Sequence, residues 1–136
     1  KAGKGAQDFL KKTFKDNQKN FSDQEAQLKK EESDLLVKKK ILTKVEYQKN
    51  SAELRKKVVD YQANRRIALE KIASQRAEAR KKLIKKLNPI LTKYIEENGI
   101  SIIVDKKNVV MGNADLDITN QIVEKLNKEL PSLNLK

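Results

Sequence analysis

A mainly α-helical protein with a small β body (α+β) is the fold class the sequence predicts, and three observations predict it. Apolar residues recur at heptad spacing along the first helical segment. Gly and Pro number only 4 and 2 in 136 residues, and a short run with strand character appears only after Gly99. Only 38% of the residues are hydrophobic while 37% are charged, which is thin material for a monomeric core. The predicted architecture is therefore a long antiparallel coiled-coil helical hairpin with a narrow apolar stripe, thickened by association with other copies.

The outgoing helix carries Phe14, Phe21, Leu28, Leu35 and Leu42 seven apart, the spacing of a coiled-coil seam. Apart from Leu10 and Val45, their partner positions are Asn17, Gln24, Glu31 and Lys38, so half of the seam is polar and the coil should be weak and pliable. Thr43 and Glu46 have the spacing of a capping box that starts a second helix. Competing readings put the turn at a later box, Asn50 to Glu53, or leave one uninterrupted helix. Folding about Thr43 sets Leu42 against Val45, Leu35 against Ala52, Leu28 against Val59, Phe14 against Ala73 and Leu10 against Ala77. Large side chains then meet small ones, which favours this turn. Arg66 falls opposite Phe21, with its guanidinium over the ring or extended to water and Ile67 taking the packing position.

A return helix from Lys44 to Asn98 would be on the order of 80 Å long against roughly 60 Å for the outgoing one, so it overshoots. The overshoot, "LIKKLNPILTKYI", packs Leu83, Ile84, Leu87, Ile90, Leu91, Tyr94 and Ile95 too densely for one helix to cover, and reads as a docking segment. Pro89 predicts a kink or restart near Asn88, and Gly99 ends the helix. "ISIIVD", a "KKN" turn and "VVM" predict a short β-hairpin that needs further strands from elsewhere. A last helix follows: Asp117 is its cap, Ile118, Ile122, Val123 and Leu126 form its apolar face, and Pro131 ends it. The chain thus divides into a helical hairpin, residues 1–98, whose residues 83–98 dock into an assembly body, residues 99–136.

With no cysteine and no histidine, thiol chemistry, the usual zinc sites and His-based acid–base catalysis are excluded. The chain reads as a non-enzyme, and no catalytic, cofactor-binding or metal-binding residue is assigned. Asp105, Asp115 and Asp117 have turn and cap duties rather than a metal. No run approaches the roughly 20 apolar residues of a membrane helix, and the start at Lys1, without methionine or a signal-like region, reads as processing or truncation. Residues 1–98 hold 26 Lys and Arg against 14 Asp and Glu, whereas residues 99–136 hold five of each, so the whole net charge of +12 lies on the helical part. Such a field favours acidic partners: nucleic acid, anionic lipid or acidic polypeptides. Its densest stretch, Arg65 to Lys86, has nine basic residues against two acidic ones and no aromatic residue for stacking on bases.

The segment "IIVDKKNVVMGNADLDITNQIVEKLN" resembles the Skp/OmpH periplasmic chaperones of Gram-negative bacteria: strand, Asp-Lys turn, strand, then an Asp-Ile-Thr helix start. "KLNPIL" and the amphipathic hairpin fit less specifically, and "GKGAQDFLKK" resembles the helix that follows an N-terminal strand in the family. That strand is expected before Lys1 and is absent from this sequence. The resemblance implies a homotrimer with a β-rich body built from all three chains and helical tentacles enclosing a cavity. It further implies an ATP-independent periplasmic holdase that binds unfolded outer-membrane proteins and prevents their aggregation. Arg76, Arg80, Lys81 and Lys85 would be client-facing. Arg55, Arg65 and Arg66 stand where the family carries basic residues proposed to contact lipopolysaccharide, and Arg55 and Arg66, eleven residues apart, share a helix face. Two other classes stay open: a basic coiled-coil protein binding nucleic acid, which lacks any recognised module, and a structural stalk.

Overall fold

Residues 1–135 are described, from a computed structural model. Helix α1 spans Ala2–Lys38, α2 spans Lys44–Asn98 and α3 spans Thr119–Glu129, with single 3₁₀ turns at Lys106–Asn108 and Ala114–Leu116. The reversal between α1 and α2 is built by local hydrogen bonds. The amides of Ile41 and Leu42 both donate to the Lys38 carbonyl at 3.0 Å. The Thr43 amide and hydroxyl then donate to Glu46 Oε2 at 2.9 and 2.7 Å, while the Glu46 amide donates back to Thr43 Oγ1 at 3.3 Å. This is a reciprocal capping box, which satisfies amides that a helix start leaves without partners. Asn50 and Glu53 lie inside α2.

The chain forms two compact units, Leu10–Ser74 and Lys1–Phe9 together with the residues from Gln75 onward. In the first, α1 and α2 make a long helical hairpin. Phe21, Leu28, Leu35 and Leu42 are half-buried, and so are the polar seam residues Asn17 and Glu31. Glu31 is neutralised across the seam by Lys57 at 2.7 Å. Two predictions of register need correction. Phe14 is largely exposed and Thr13 takes the inward position, because a straight helix drifts about 20° per heptad against a strict seven-residue repeat. On α2, Val45, Ala52, Val59 and Ala73 are exposed, and the inward stripe is Tyr47, Leu54, Val58, Tyr61, Ala68 and Ile72. That stripe buries two aromatic rings and larger aliphatic groups than the predicted one, which lies roughly half a turn away round the helix, and burial scales with apolar area. Arg66 and Ile67 accordingly face outward, and Tyr61 meets Phe21 instead.

In the second unit the core is made of small residues. Ala2, Ala6 and Ala79 let two helices approach closely, Leu133 fills the space between them, and Leu83, Leu130 and Leu135 pack around it. Ile90 and Ile122 are also buried. Pro89 sits inside α2, which runs through it without the predicted restart. The Thr92 hydroxyl donates to the Asn88 carbonyl at 3.2 Å, and the neighbouring Ile90 is packed. The helix ends at Gly99, whose φ of 59° suits a residue without a β-carbon, and the Ile100 amide returns to the Ile95 carbonyl at 3.1 Å.

The predicted β-hairpin is corrected: there is no β-strand among the described residues. Ile100–Asp105 and Val109–Met111 make no ladder, and the "KKN" turn is a 3₁₀ turn whose Lys107 amide donates to Asp105 Oδ1 at 3.1 Å. Two short strands without a third have no apolar layer to cover, and Val110 and Met111 stand 100% and 91% exposed. Before α3, Asp117 Oδ1 accepts the Thr119 amide at 3.1 Å, so the acid serves the helix start from one residue further upstream than a cap. Ile122 is buried and Ile118 and Leu126 half-buried, whereas Val123 is exposed. Lys125 joins α3 to the end of α2, 3.4 Å from Glu97 and 5.4 Å from the centre of the Tyr94 ring.

Candidate functional site

Within the Leu10–Ser74 unit, α1 and α2 leave an open groove of about 1050 Å³ beside their seam. Its floor is apolar, with Leu28, Leu35, Leu54, Val58 and Tyr61, because the seam side chains are only half-buried. Its rim is charged. Arg55, Arg65 and Arg66 all line it, as the near-three-turn spacing of Arg55 and Arg66 requires. Acidic residues share the rim, so it is not a uniform anion site: Glu32 lines it, as does Glu25, which pairs with Lys29 at 2.8 Å, and Arg66 itself reaches Glu70 at 3.7 Å. The hydrogen bond from Lys29 holds the Glu25 carboxyl below its ordinary range, with Tyr61 and Arg65 adding smaller pulls, and Glu25 in turn raises Lys29. The combination can take a chain that is apolar on one side and polar or anionic on the other.

In the other unit, Arg76, Arg80, Lys81 and Lys85 lie exposed on α2. They form two i,i+4 pairs of like charge and have no ion pair with any described residue, so their field is not cancelled locally. Arg80 also borders a second groove of about 410 Å³ with Leu83, Ile84, Leu87, Val123 and Leu126. Ile84 and Val123, expected in packed positions, are open there. Further along, Ile102, Val104, Val110, Met111 and Leu116 form exposed apolar surface around the two 3₁₀ turns. Those turns are fixed to each other by the Lys106–Asp117 ion pair at 2.5 Å, which, with the Thr119 hydrogen bonds, holds the Asp117 carboxyl far below its ordinary range. Among the described residues no cluster of three potential metal ligands occurs, and no helix is long and apolar enough to cross a membrane.

Sequence reading missed one exposed surface and one core residue. Leu36, Val37, Ile41 and Val45 crowd around the turn between α1 and α2 and are exposed, a pattern visible as apolar residues lying beside the heptad positions Leu35 and Leu42. Leu133 lies in the core of its unit, although nothing beyond the Leu130, Leu133, Leu135 spacing announces it.

With this geometry in place, the comparisons give one family and one fold. A family model described as outer membrane protein (OmpH-like) matches residues 1–126. A 2.83 Å crystal structure of a protein from Caulobacter crescentus CB15, assigned as an OmpH-like outer membrane chaperone, superposes with a TM-score of 0.87 at 19% identity. The match covers 99% of this chain and 80% of that one, and at this identity it speaks for the fold. No curated protein matches the sequence significantly.

Proposed function

The chain belongs to the OmpH-like outer membrane protein family, and from that premise we propose that it is a periplasmic chaperone that holds unfolded outer-membrane proteins without ATP. The observation that carries the reading is the pairing of an unneutralised basic face with half-open apolar surface on the same long helices. A folded partner would need a shaped, dry pocket, whereas an unfolded chain needs many shallow contacts along a surface that stays solvated. The hairpin offers such contacts: an open groove with an apolar floor and charged rim, and a seam whose polar residues keep it loosely packed.

The working form is a homotrimer. Exposed Val110, Met111, Ile102 and Val104 would be covered by neighbouring chains, where strand segments that find no partner in one chain could pair. Three helical hairpins would then surround the client and present about 36 net positive charges to it. Residues 1–98 act as the client-holding hairpin and residues 99–136 as the assembly body. Arg76, Arg80, Lys81 and Lys85 draw the client in, and Arg55, Arg65 and Arg66 take anionic groups such as those of lipopolysaccharide. The test is dilution of a urea-unfolded outer-membrane protein into buffer with and without the chaperone, followed by light scattering. Suppression near one trimer per client, unaffected by ATP, is expected. Aggregation that proceeds unchanged while the trimer stays intact would leave the chain a structural stalk.

A further inference from the structure

Helix α2 ends in the dipeptide Asn98–Gly99, and nothing in the holdase reading uses it. Asn98 alone among the asparagines of the chain is followed by glycine. Each of the others precedes a residue whose side chain, or at Asn88 the ring of Pro89, shields the next backbone nitrogen. The surroundings leave the Gly99 nitrogen open. Both residues are exposed, and no atom except those of its chain neighbours lies within 4 Å of where a β-carbon on Gly99 would stand. The hydrogen bond that closes the helix runs to the Ile95 carbonyl from the Ile100 amide, not from Gly99. Asn98 is the last residue of α2, so its backbone can turn without breaking the hydrogen bonds of the turns before it. Its Nδ2 donates to the Tyr94 carbonyl at 2.9 Å, a surface bond that water can replace.

We propose that Asn98 is a site of spontaneous covalent modification, deamidating through a cyclic imide formed with the Gly99 backbone, and that the products loosen the end of α2. The Gly99 nitrogen, having given its proton to hydroxide, attacks Asn98 Cγ. The new N–Cγ bond forms, the Cγ–Nδ2 bond breaks, and Nδ2 takes a proton from water and leaves as ammonia, which regenerates the hydroxide. Water then opens the five-membered imide at either carbonyl. Cleavage at Cγ leaves aspartate on the ordinary backbone, whereas cleavage at the backbone carbonyl carbon leaves isoaspartate, with the chain running through the side chain. Either product places a third carboxylate beside Glu96 and Glu97 at the negative end of the helix, where cations rather than anions are stabilised. Isoaspartate also lengthens the backbone by one carbon before Gly99, which moves the Ile100 amide off the Ile95 carbonyl and unfastens the helix stop. The inference uses neither the client groove nor the basic face of α2, so it stands apart from the holdase reading.

The tryptic peptide Tyr94–Lys106 contains Asn98 and no other asparagine or glutamine, so its mass reports this site alone. After incubation of the folded chain, that peptide should show the exchange of an amide NH2 for OH and elute as two species of equal mass. The rate should rise about tenfold per pH unit, as the deprotonated fraction of the attacking amide does. Peptide Asn108–Lys125, which holds Asn108, Asn113 and Asn120, should stay unmodified over the same period. Asn98→Gln, which could close only a six-membered imide, should abolish the mass gain with helix content unaltered. Aged protein should melt at lower urea than fresh protein, and aged Asn98→Gln protein should not. No gain in Tyr94–Lys106, an equal gain in Asn108–Lys125, or a rate indifferent to pH would overturn the proposal. So would aged protein that carries the modification but keeps its urea midpoint, since the helix end would then be untouched by it.

Discussion

Phe21 of α1 and Tyr61 of α2 meet edge to face, their ring centroids 6.0 Å apart and their planes inclined by 75°. The Tyr61 hydroxyl continues the contact by donating to Glu25 Oε2 at 3.3 Å. It is the aromatic contact of a seam otherwise built from half-buried aliphatic and polar residues, so it should dominate the local stability of the hairpin. Tyr61→Ala is expected to cost about 2 kcal/mol, less than a fully buried ring, and a double-mutant cycle with Phe21→Ala should give a coupling of about 0.5–1.5 kcal/mol. Additive effects in urea melts would mean that the rings merely share a neighbourhood.

Acid should loosen the hairpin turn and the 3₁₀ loops. Glu46 is lowered by Thr43, Glu31 by Lys57, Asp105 by Lys107 and Asp117 by Lys106. In each case the folded carboxyl is the stronger acid, so the unfolded chain takes up protons first as pH falls. Their stabilisation is complete above the ordinary carboxylate range near pH 4 and is lost as pH drops through the lowered folded values. Thr43→Ala should cost about 1 kcal/mol at pH 7 and progressively less in acid, as Glu46 loses the charge that accepts from Thr43. A penalty that stays constant throughout an acid titration followed by urea melts would remove Glu46 from the turn.

Leu133, beyond Pro131, should be a structural residue. Leu133 is buried against Ala2, Ala6 and Ala79, so Leu133→Ala is expected to lower stability by about 2–4 kcal/mol. Val110→Ala, at a fully exposed position, should change the stability of an isolated chain by no more than about 0.5 kcal/mol. Thermal melts at dilutions that dissociate any oligomer separate the two.

Self-association should depend on surface that one chain leaves open. Val110→Asp with Met111→Asp should reduce the oligomer while leaving helix content intact, and Leu87→Asp should do so more strongly than Leu28→Asp, which lies on the floor of an open groove that can hydrate a carboxylate. Sedimentation velocity reads all three. An oligomer lost with Leu28→Asp but kept with Leu87→Asp would move assembly into the hairpin.

Much of this fold is legible in the sequence because it is local. The Thr43–Glu46 box, the Gly99 stop and the seam at Phe21, Leu28, Leu35 and Leu42 each rest on spacing within a few turns of helix. What the sequence hides is rotation. Val45, Ala52 and Val59 make as regular a stripe as Tyr47, Leu54 and Tyr61, and only the competition for buried area between them sets which faces inward. The segments Ile100–Asp105 and Val109–Met111 have the composition of strands but no strand to pair with among the described residues. Of the site, the common face of Arg55 and Arg66 follows from helix geometry, whereas the acids on the same rim, Glu25 and Glu32, come from α1 and become neighbours only through the hairpin.

Stopped-flow association with an unfolded, acidic outer-membrane protein tests capture by the basic face of Arg76, Arg80, Lys81 and Lys85. Raising ionic strength should slow association far more than it speeds release, because long-range attraction is screened while short-range contacts are not. Replacing Arg76, Arg80, Lys81 and Lys85 together by Gln should reproduce the high-salt association rate with the oligomer intact. An association rate indifferent both to salt and to those four substitutions would contradict electrostatic capture.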